Sequence, residues 1–426
     1  MQQAGRLILY FGLFLARFVL FPFYFLSGFP RRRPELWVFG SWGGYRFADN
    51  SAAFFLHCQR EYSDHLRLVW ISRNQAIVDD LRDRGYEAHK VWSLAGLRCC
   101  LQAKLYIFDS FVKDINFWTS RGATKVNLWS GVPLKAFERD ISNPRSRYYR
   151  LFHGSLPERW LLAMMMPWHV DRPDLIIATS EETARITRRA FDIPGDTVVV
   201  SGFPRNDILF PGPDEQVGPR PGWTASFARA VEDGQRILMY LPTYRDSGES
   251  YFNVDWSELD RLMEELGATF FFKFHPDEQS TFRGQGQHVV ELEQECDIYS
   301  MMAHTDVLIS DYSSIIFDFM LLGRPIVYYT PDLDAFVKSS RSLIFQPVDI
   351  AVGPVCTTAA ELFESLKAVV SGESGSASDV ARWAETRRRF NAHVDGHSSQ
   401  RVAEMIDSKV LQGQLKRFSG EKSTCN

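Results

Sequence analysis

Cysteine is scarce in this chain: six in 426 residues (Cys58, Cys99, Cys100, Cys296, Cys356, Cys425), with no CxxC pair and no metal-ligand spacing. That excludes a disulfide framework, and the adjacent Cys99 and Cys100 suit buried thiols in a reducing compartment. An excess of basic residues is also missing. Lys and Arg number 48 against 52 Asp and Glu, a net charge of −4, which argues against a general nucleic-acid binder. There is no internal repeat and no low-complexity tract. What is present is globular in kind: 45% hydrophobic and 23% charged residues rule out extensive disorder. The length is too great for one ordinary core and sets two domains as the expectation.

The longest apolar run leads the chain. Residues 7–28 are long enough to cross a bilayer and carry one charge, Arg17, near the middle; Arg6 precedes them and Arg31, Arg32 and Arg33 follow. A cleaved signal peptide is disfavoured, because no small-residue cleavage site precedes the arginine run. Two readings stay open. A spanning anchor would hold the body on the cytoplasmic side through the arginines, with a penalty for Arg17 at mid-depth. A monotopic helix, bent at Pro22, lets Arg17 snorkel to the headgroups. Under either reading, residues 1–33 are a membrane-associated segment at the cytoplasmic face.

From Glu35 the pattern alternates strand and helix. Apolar runs predict strands at Leu36–Phe39, Leu66–Ile71, Leu105–Phe108, Val126–Trp129, Leu175–Ala178, Val198–Val200, Ile237–Leu241, Thr269–Phe274, Val289–Leu292, Val307–Ile309 and Ile326–Tyr329. Helical spacing falls at 50–60, 75–84, 93–103, 181–191, 256–266, 297–304, 314–322, 358–371 and 377–392, and a less regular aromatic, Arg-rich stretch covers Ser142–His169. Alternation of this kind implies parallel sheets covered on both faces. The expected fold is α/β with two Rossmann-like domains, residues 34–170 and 171–392, followed by a C-terminal return helix and tail over 393–426. Between the strands at 307 and 326, the turn Asp311-Tyr312-Ser313-Ser314 offers backbone N–H groups and two hydroxyls at a helix start, where a phosphate can bind. The same residues can also serve simply as a helix cap.

Several short strings recur in a recognisable order. They are Phe39-Gly40-Ser41, Gly44-Tyr45 through Asp49-Asn50, Leu128-Trp129-Ser130-Gly131-Val132-Pro133-Leu134-Lys135, and Gly202-Phe203-Pro204-Arg205-Asn206-Asp207. After them come Leu241-Pro242-Thr243-Tyr244-Arg245, Lys273-Phe274-His275-Pro276, the 311–314 turn with Phe317-Asp318, and Asp395-Gly396 with Arg401. In order and spacing the chain resembles the CDP-glycerol glycerophosphotransferase family, enzymes of teichoic acid and phosphate-linked capsule synthesis. The resemblance runs from about residue 35 to 407 and implies the two-domain glycosyltransferase-B architecture, with an acceptor domain followed by a nucleotide-donor domain. It implies attack by an acceptor hydroxyl on the β-phosphorus of a CDP-activated polyol, glycerol first among the candidates, with release of CMP. The partners so implied are a CDP-polyol, a lipid-linked or polymeric glycan acceptor and the membrane.

Under that resemblance His275 contacts the donor phosphates, joined by Ser313, Ser314 and Asp311, with Arg245 and Arg205 supplying guanidinium groups. Lys135 binds a phosphate or is a solvated surface lysine. One departure matters. The family has histidine as its proposed general base where this chain has Ser130, and a serine hydroxyl cannot take a proton at neutral pH without a base of its own. Asp140, Glu138, Asp49 and the His153-Gly154 pair are candidate substitutes, or the loose phosphoryl-transfer transition state needs little base. Two other readings stay open: a nucleotide-sugar glycosyltransferase, and a catalytically weak envelope-assembly binding protein. No metal cluster is expected and no resident cofactor, a magnesium ion arriving with the substrate at most.

Overall fold

The computed structural model describes residues 17–211, 222–243, 252–274, 282, 284, 286–333, 336, 343–373, 377–412 and 415. Among the described residues the strands form two sheets, both parallel throughout. The first contains β1 (Arg33–Gly40), β2 (Arg67–Ser72), β3 (Ala88–Lys90), β4 (Ala103–Phe108), β5 (Thr124–Asn127), β6 (Leu175–Ala178) and β7 (Val198–Val200) in the order β3-β2-β1-β4-β5-β6-β7. The second contains β8 (Arg236–Tyr240), β9 (Ala268–Phe272), β10 (Val289–Glu291), β11 (Val307–Ser310), β12 (Ile326–Tyr329) and β13 (Val355–Cys356) in the order β10-β9-β8-β11-β12-β13. Both orders are those of doubly wound Rossmann sheets.

The strands read as unbroken apolar runs because helices cover both faces, so every side chain of a central strand must be buried. All five residues of β9 are buried, as are Leu36–Phe39 of β1. Helix starts are fixed by local chemistry: Ser180 caps Glu181–Phe191 and Asp255 caps Trp256–Leu266.

The chain divides into two units. The first is Met1–Ser130, Glu138–Arg205 and His397–Asn426; the second is Gly131–Phe137 and Asn206–Gly396. The break therefore falls after Arg205 and not near residue 170. The reason is topological: β6 pairs with β5 (Val126 opposite Leu175) and β7 pairs with β6, so both complete the first sheet. The Arg-rich stretch preceding them folds as three short helices, Arg147–His153, Leu156–Met165 and Pro167–Val170. Residues 131–137 join the second unit through Lys135 bridging Leu343 and the Ile344 N–H donating to the Leu134 carbonyl (2.9 Å).

The return helix, Ser398–Ile406, closes on the first unit, where Arg401 Nε donates to the Ser201 carbonyl (2.8 Å). Gly202 permits that approach: its φ is +81°, and a Cβ there would lie 2.6 Å from Ser398 Oγ. At the other terminus residues 17–26 are helical, and Leu20, Phe21, Phe23 and Tyr24 pack on the core of the first unit. Among the described residues no helix is long and apolar enough to cross a membrane.

Candidate active site

In doubly wound sheets ligands bind past the carboxyl ends of the strands, where the strand order reverses. The second unit has this point between β8 and β11. Asp311 follows β11 directly, and its Oδ1 accepts the Thr243 N–H beyond β8 (2.9 Å) and the Tyr312 N–H (2.5 Å). Ser310 Oγ reinforces the junction by donating to the Leu241 carbonyl (2.6 Å). The buried Asp311 carboxylate thus staples two strand ends together. A carboxylate repels a phosphate, so this residue shapes the turn and leaves the polar surface to Ser313 and Ser314, both half-buried. Ser314 stands at the start of the helix Ile315–Phe319 without a capping bond from its side chain.

Lys135 reaches the same turn through an aromatic stack. Its ammonium lies 4.9 Å from the centroid of Phe336, and Phe336 stacks on Tyr312 at 4.3 Å. The Tyr312 hydroxyl in turn donates to Asp332 Oδ1 (3.3 Å). At the end of β12 the Thr330 hydroxyl is buried with no hydrogen-bond partner among the described residues. Asp318 accepts from Asn206 Nδ2 (2.8 Å) and the Tyr299 hydroxyl (2.9 Å), anchoring the helix that follows the serine turn.

The first unit has its switch point between β1 and β4, and a denser polar cluster there. Arg205, which follows β7, is buried. Its Nη1 donates to Asp49 Oδ1 and to the Ser130 carbonyl, both at 2.6 Å, and its backbone N–H donates to Asn50 Oδ1 (3.1 Å). Asn50 Nδ2 donates to the carbonyls of Leu128 (3.1 Å) and Trp129 (2.6 Å). Asp49, Asn50 and Arg205 therefore clamp the turn that carries Ser130. Two of its parts adopt left-handed backbone, Asp49 at φ +64° and Trp129 at φ +48°, strain that persists where surrounding contacts over-determine a site. Asp109 follows β4 as Asp311 follows β11, and its Oδ1 accepts Ser51 N–H (2.7 Å) and Oγ–H (2.8 Å). Its Oδ2 is buried without a hydrogen-bond partner among the described residues. Burial first, then the charges of Asp49 and Asp114, push the Asp109 carboxyl well above the usual range.

Of the residues singled out in the sequence, the structure gathers Ser313, Ser314, Asp311 and Lys135 in one place and Asp49, Ser130 and Arg205 in another. Arg205 is a buried strut, paired with Asp49 and bonded to the Ser130 carbonyl. Asp140 is engaged in a bidentate pair with Arg189 (2.7–3.1 Å) on the flank of Glu181–Phe191. Glu138 is buried against His169 Nδ1 (3.0 Å), and His153 meets the Arg139 carbonyl (2.7 Å). His275 and Arg245 lie outside the described residues. Sequence reading missed Asp109, Thr330 and the Asn206–Asp318 bond. Asp109 had a visible signal, since Phe108-Asp109-Ser110 ends an apolar run just as Ile309-Ser310-Asp311 does.

One group among the described residues has metal-like composition: Glu87, His89 and Cys99. It does not fit a cation. Arg67 already sits among them, with Nη2 2.6 Å from Glu87 Oε1 and 3.5 Å from Cys99 Sγ, so a guanidinium takes the position a metal would need.

Comparison with known proteins settles the family. A sequence profile described as "CDP-Glycerol:Poly(glycerophosphate) glycerophosphotransferase" matches residues 23–408. The chain belongs to the CDP-glycerol glycerophosphotransferase family. It is therefore a transferase of teichoic-acid-type biosynthesis. The teichoic acid poly(glycerol phosphate) polymerase of Bacillus spizizenii is 25% identical over 358 residues, covering 80% of this chain and 85% of its own. The teichoic acid glycerol-phosphate transferase of Staphylococcus aureus is 24% identical over 411 residues, covering 90% and 95%. The teichoic acid ribitol-phosphate primase of Bacillus spizizenii is 29% identical over 389 residues, covering 88% and 92%. In fold this transferase is similar to the wall teichoic acid polymerase TagF, with a TM-score of 0.70 at 20% identity over 90% of this chain and 91% of that one.

Proposed function

We propose that this transferase moves glycerol phosphate from CDP-glycerol to a hydroxyl of a lipid-linked or polymeric teichoic-acid-type acceptor, releasing CMP, at the cytoplasmic face of the membrane. The observation that carries this reading is the stapled serine turn of the second unit. Asp311 fixes it to Thr243 at the switch point, and the Phe336–Tyr312 stack brings Lys135 to it. Ser313, Ser314 and Lys135 would hold the donor pyrophosphate, with His275 and Arg245 contributing the remaining positive and hydrogen-bonding groups. The scheme asks for no resident cofactor, and magnesium enters only with the donor's pyrophosphate.

Membrane attachment is supported by the surface of the first unit. Val19, Phe25, Leu26 and Phe29 on and after the N-terminal helix are exposed, beside exposed Arg31 and Arg33. The helix Leu156–Met165 buries none of its residues although it carries Trp160, Leu161 and Leu162, and Arg17 Nη1 joins it at Met165 Sδ (3.0 Å). An apolar surface rimmed by arginine suits anionic headgroups and an in-plane mode of binding.

The test is acceptor-dependent CMP release by the detergent-solubilised full chain, comparing CDP-glycerol with CDP-ribitol on a lipid-linked glycan. Faster release from CDP-glycerol supports the reading. A preference for CDP-ribitol overturns the choice of polyol, and no release from either overturns the transfer itself.

A further inference from the structure

The reaction proposed above needs a group to accept the acceptor's hydroxyl proton, and Ser130 cannot be that group. Among the described residues no carboxylate or imidazole hydrogen-bonds its hydroxyl. The sequence offers four candidates, and three are held elsewhere: Asp140 by Arg189, Glu138 by His169, His153 by the Arg139 carbonyl. Asp49 is different. One nitrogen, Arg205 Nη1, bonds both Asp49 Oδ1 and the Ser130 carbonyl at 2.6 Å, so those two oxygens lie no further apart than twice that distance. Arg205 and the Asn50 N–H both occupy Oδ1. Among the described residues Oδ2 accepts no hydrogen bond, and it is not one of the sealed, unpartnered atoms.

We propose that Asp49 is the general base of this enzyme, receiving the acceptor's proton on Oδ2 beside the Ser130 turn. The proposal rests on the transfer reaction of the previous subsection. As the acceptor oxygen forms its bond to the β-phosphorus of the CDP-polyol, its proton passes to Asp49. The bond from the β-phosphorus to the bridging oxygen breaks, and CMP leaves with that electron pair. The Arg205 guanidinium, bonded to Oδ1, fixes the orientation of the carboxylate. A carboxylate is a weak base, yet a loose phosphoryl-transfer transition state calls for the proton late and makes little demand on base strength. Placement agrees: Asp49 opens the helix after β1, at the switch point where a substrate would lie.

The experiment compares four forms of the full chain, unmodified, Asp49→Asn, Asp49→Glu and Asp49→Asn/Ser130→His, by CMP release, CDP-glycerol affinity and pH profile. A general base is worth roughly 10²–10⁴-fold, so Asp49→Asn is expected to lose about 10²–10³-fold in kcat with the Kd for CDP-glycerol unchanged. Asp49→Glu retains a carboxylate and is expected within about tenfold of the unmodified protein. Adding Ser130→His to Asp49→Asn puts an imidazole on the other side of Arg205. It is expected to restore at least tenfold and to give the profile an acid limb near the ordinary imidazole value of about 6.5. The charged groups facing this position are Arg205 after β7 and Asp109 and Asp114 after β4, all unchanged in these variants. If Asp49→Asn keeps more than a tenth of the activity, or if the histidine restores nothing, Asp49 is only a structural partner of Arg205 and the proposal fails. An unmodified protein that releases no CMP from either CDP-polyol removes the transfer reading, and the proposal with it. A misfolded Asp49→Asn is recognised by circular dichroism, and the Asp49→Glu comparison then decides.

Discussion

Replacing Arg205 with methionine removes the charge from the centre of the first unit's cluster, together with the guanidinium that lies over Phe203 (5.1 Å). Two charge-assisted hydrogen bonds disappear, one to Asp49 Oδ1 and one to the Ser130 carbonyl. Bonds to charged groups are worth about 1.5–3 kcal/mol each. Stranding one member of a buried ion pair costs about 3–5 kcal/mol, and Asp49 is 7% exposed, so the upper part of that range applies. The backbone N–H of residue 205 still reaches Asn50, which keeps the substitution local. Urea denaturation followed by tryptophan fluorescence should show a loss of about 3–5 kcal/mol. The double variant Asp49→Asn/Arg205→Met, with no stranded charge, should be about 2–3 kcal/mol more stable than the two single losses summed. A loss below about 1 kcal/mol, the size of an exposed ion pair, or a coupling below about 0.5 kcal/mol, would refute the strut assigned to Arg205.

Asp109 should make the first unit's stability fall as pH rises. Its folded carboxyl is held well above the ordinary value, so its contribution is complete below the unfolded carboxyl range near 3.9 and is lost as pH climbs towards the folded value. Asp109→Asn should flatten that slope in urea midpoints taken from pH 4 to 8, and parallel curves for the two proteins would count against a buried, protonated Asp109. Gly202→Ala should cost at least ~2 kcal/mol, from left-handed backbone and the clash with Ser398 Oγ, and an unchanged melting temperature would show that the return helix does not press there. Lys135→Ala and Ser313→Ala should each raise the KM for CDP-glycerol about tenfold or more, the loss of one charge-assisted contact; unaltered donor KM in both would remove the serine turn from the donor site. Paired aspartates at Phe25 and Leu26 should abolish flotation with anionic vesicles but leave soluble-acceptor turnover intact, and undiminished flotation would move the membrane contact elsewhere.

The sheet strands were legible because a strand buried on both faces has no choice of residue. Val-Leu-Ile at 307–309 and Ile-Val-Tyr-Tyr at 326–329 lie within or match the observed strands. What escaped was short or polar. β3 (Ala88-His89-Lys90) and β13 (Val355-Cys356) are held by their neighbours' ladders and not by their own hydrophobicity. The helix Leu156–Met165 gave no clear periodic stripe because none of its residues is fully buried; Leu162, Ala163 and Met165 pack only in part on Leu151, Phe152 and Met166. Strings single out Ser313, Lys135 and Arg205 as candidates, but a string does not say what each side chain contacts. Whether an arginine is a strut or a ligand depends on which carboxylate stands opposite, and Asp49 lies 156 positions away in the chain.

Neither unit is a continuous stretch of chain. The first is completed by the helix Ser398–Ile406, whose Arg401 fastens to Ser201, while the second borrows residues 131–137 from within the first. On the ribosome this sets an order of events. After Arg205 emerges, residues 206–396 must all be made before the first unit receives its last helix. At ~5–20 residues per second that interval is on the order of 10–40 s. For that time the floor of Gly202, against which the return helix closes, stands open on a nascent chain whose apolar N-terminus has long since left the exit tunnel. A chain that ends anywhere between residues 206 and 395 therefore leaves two incomplete bodies, not one finished domain and a missing neighbour.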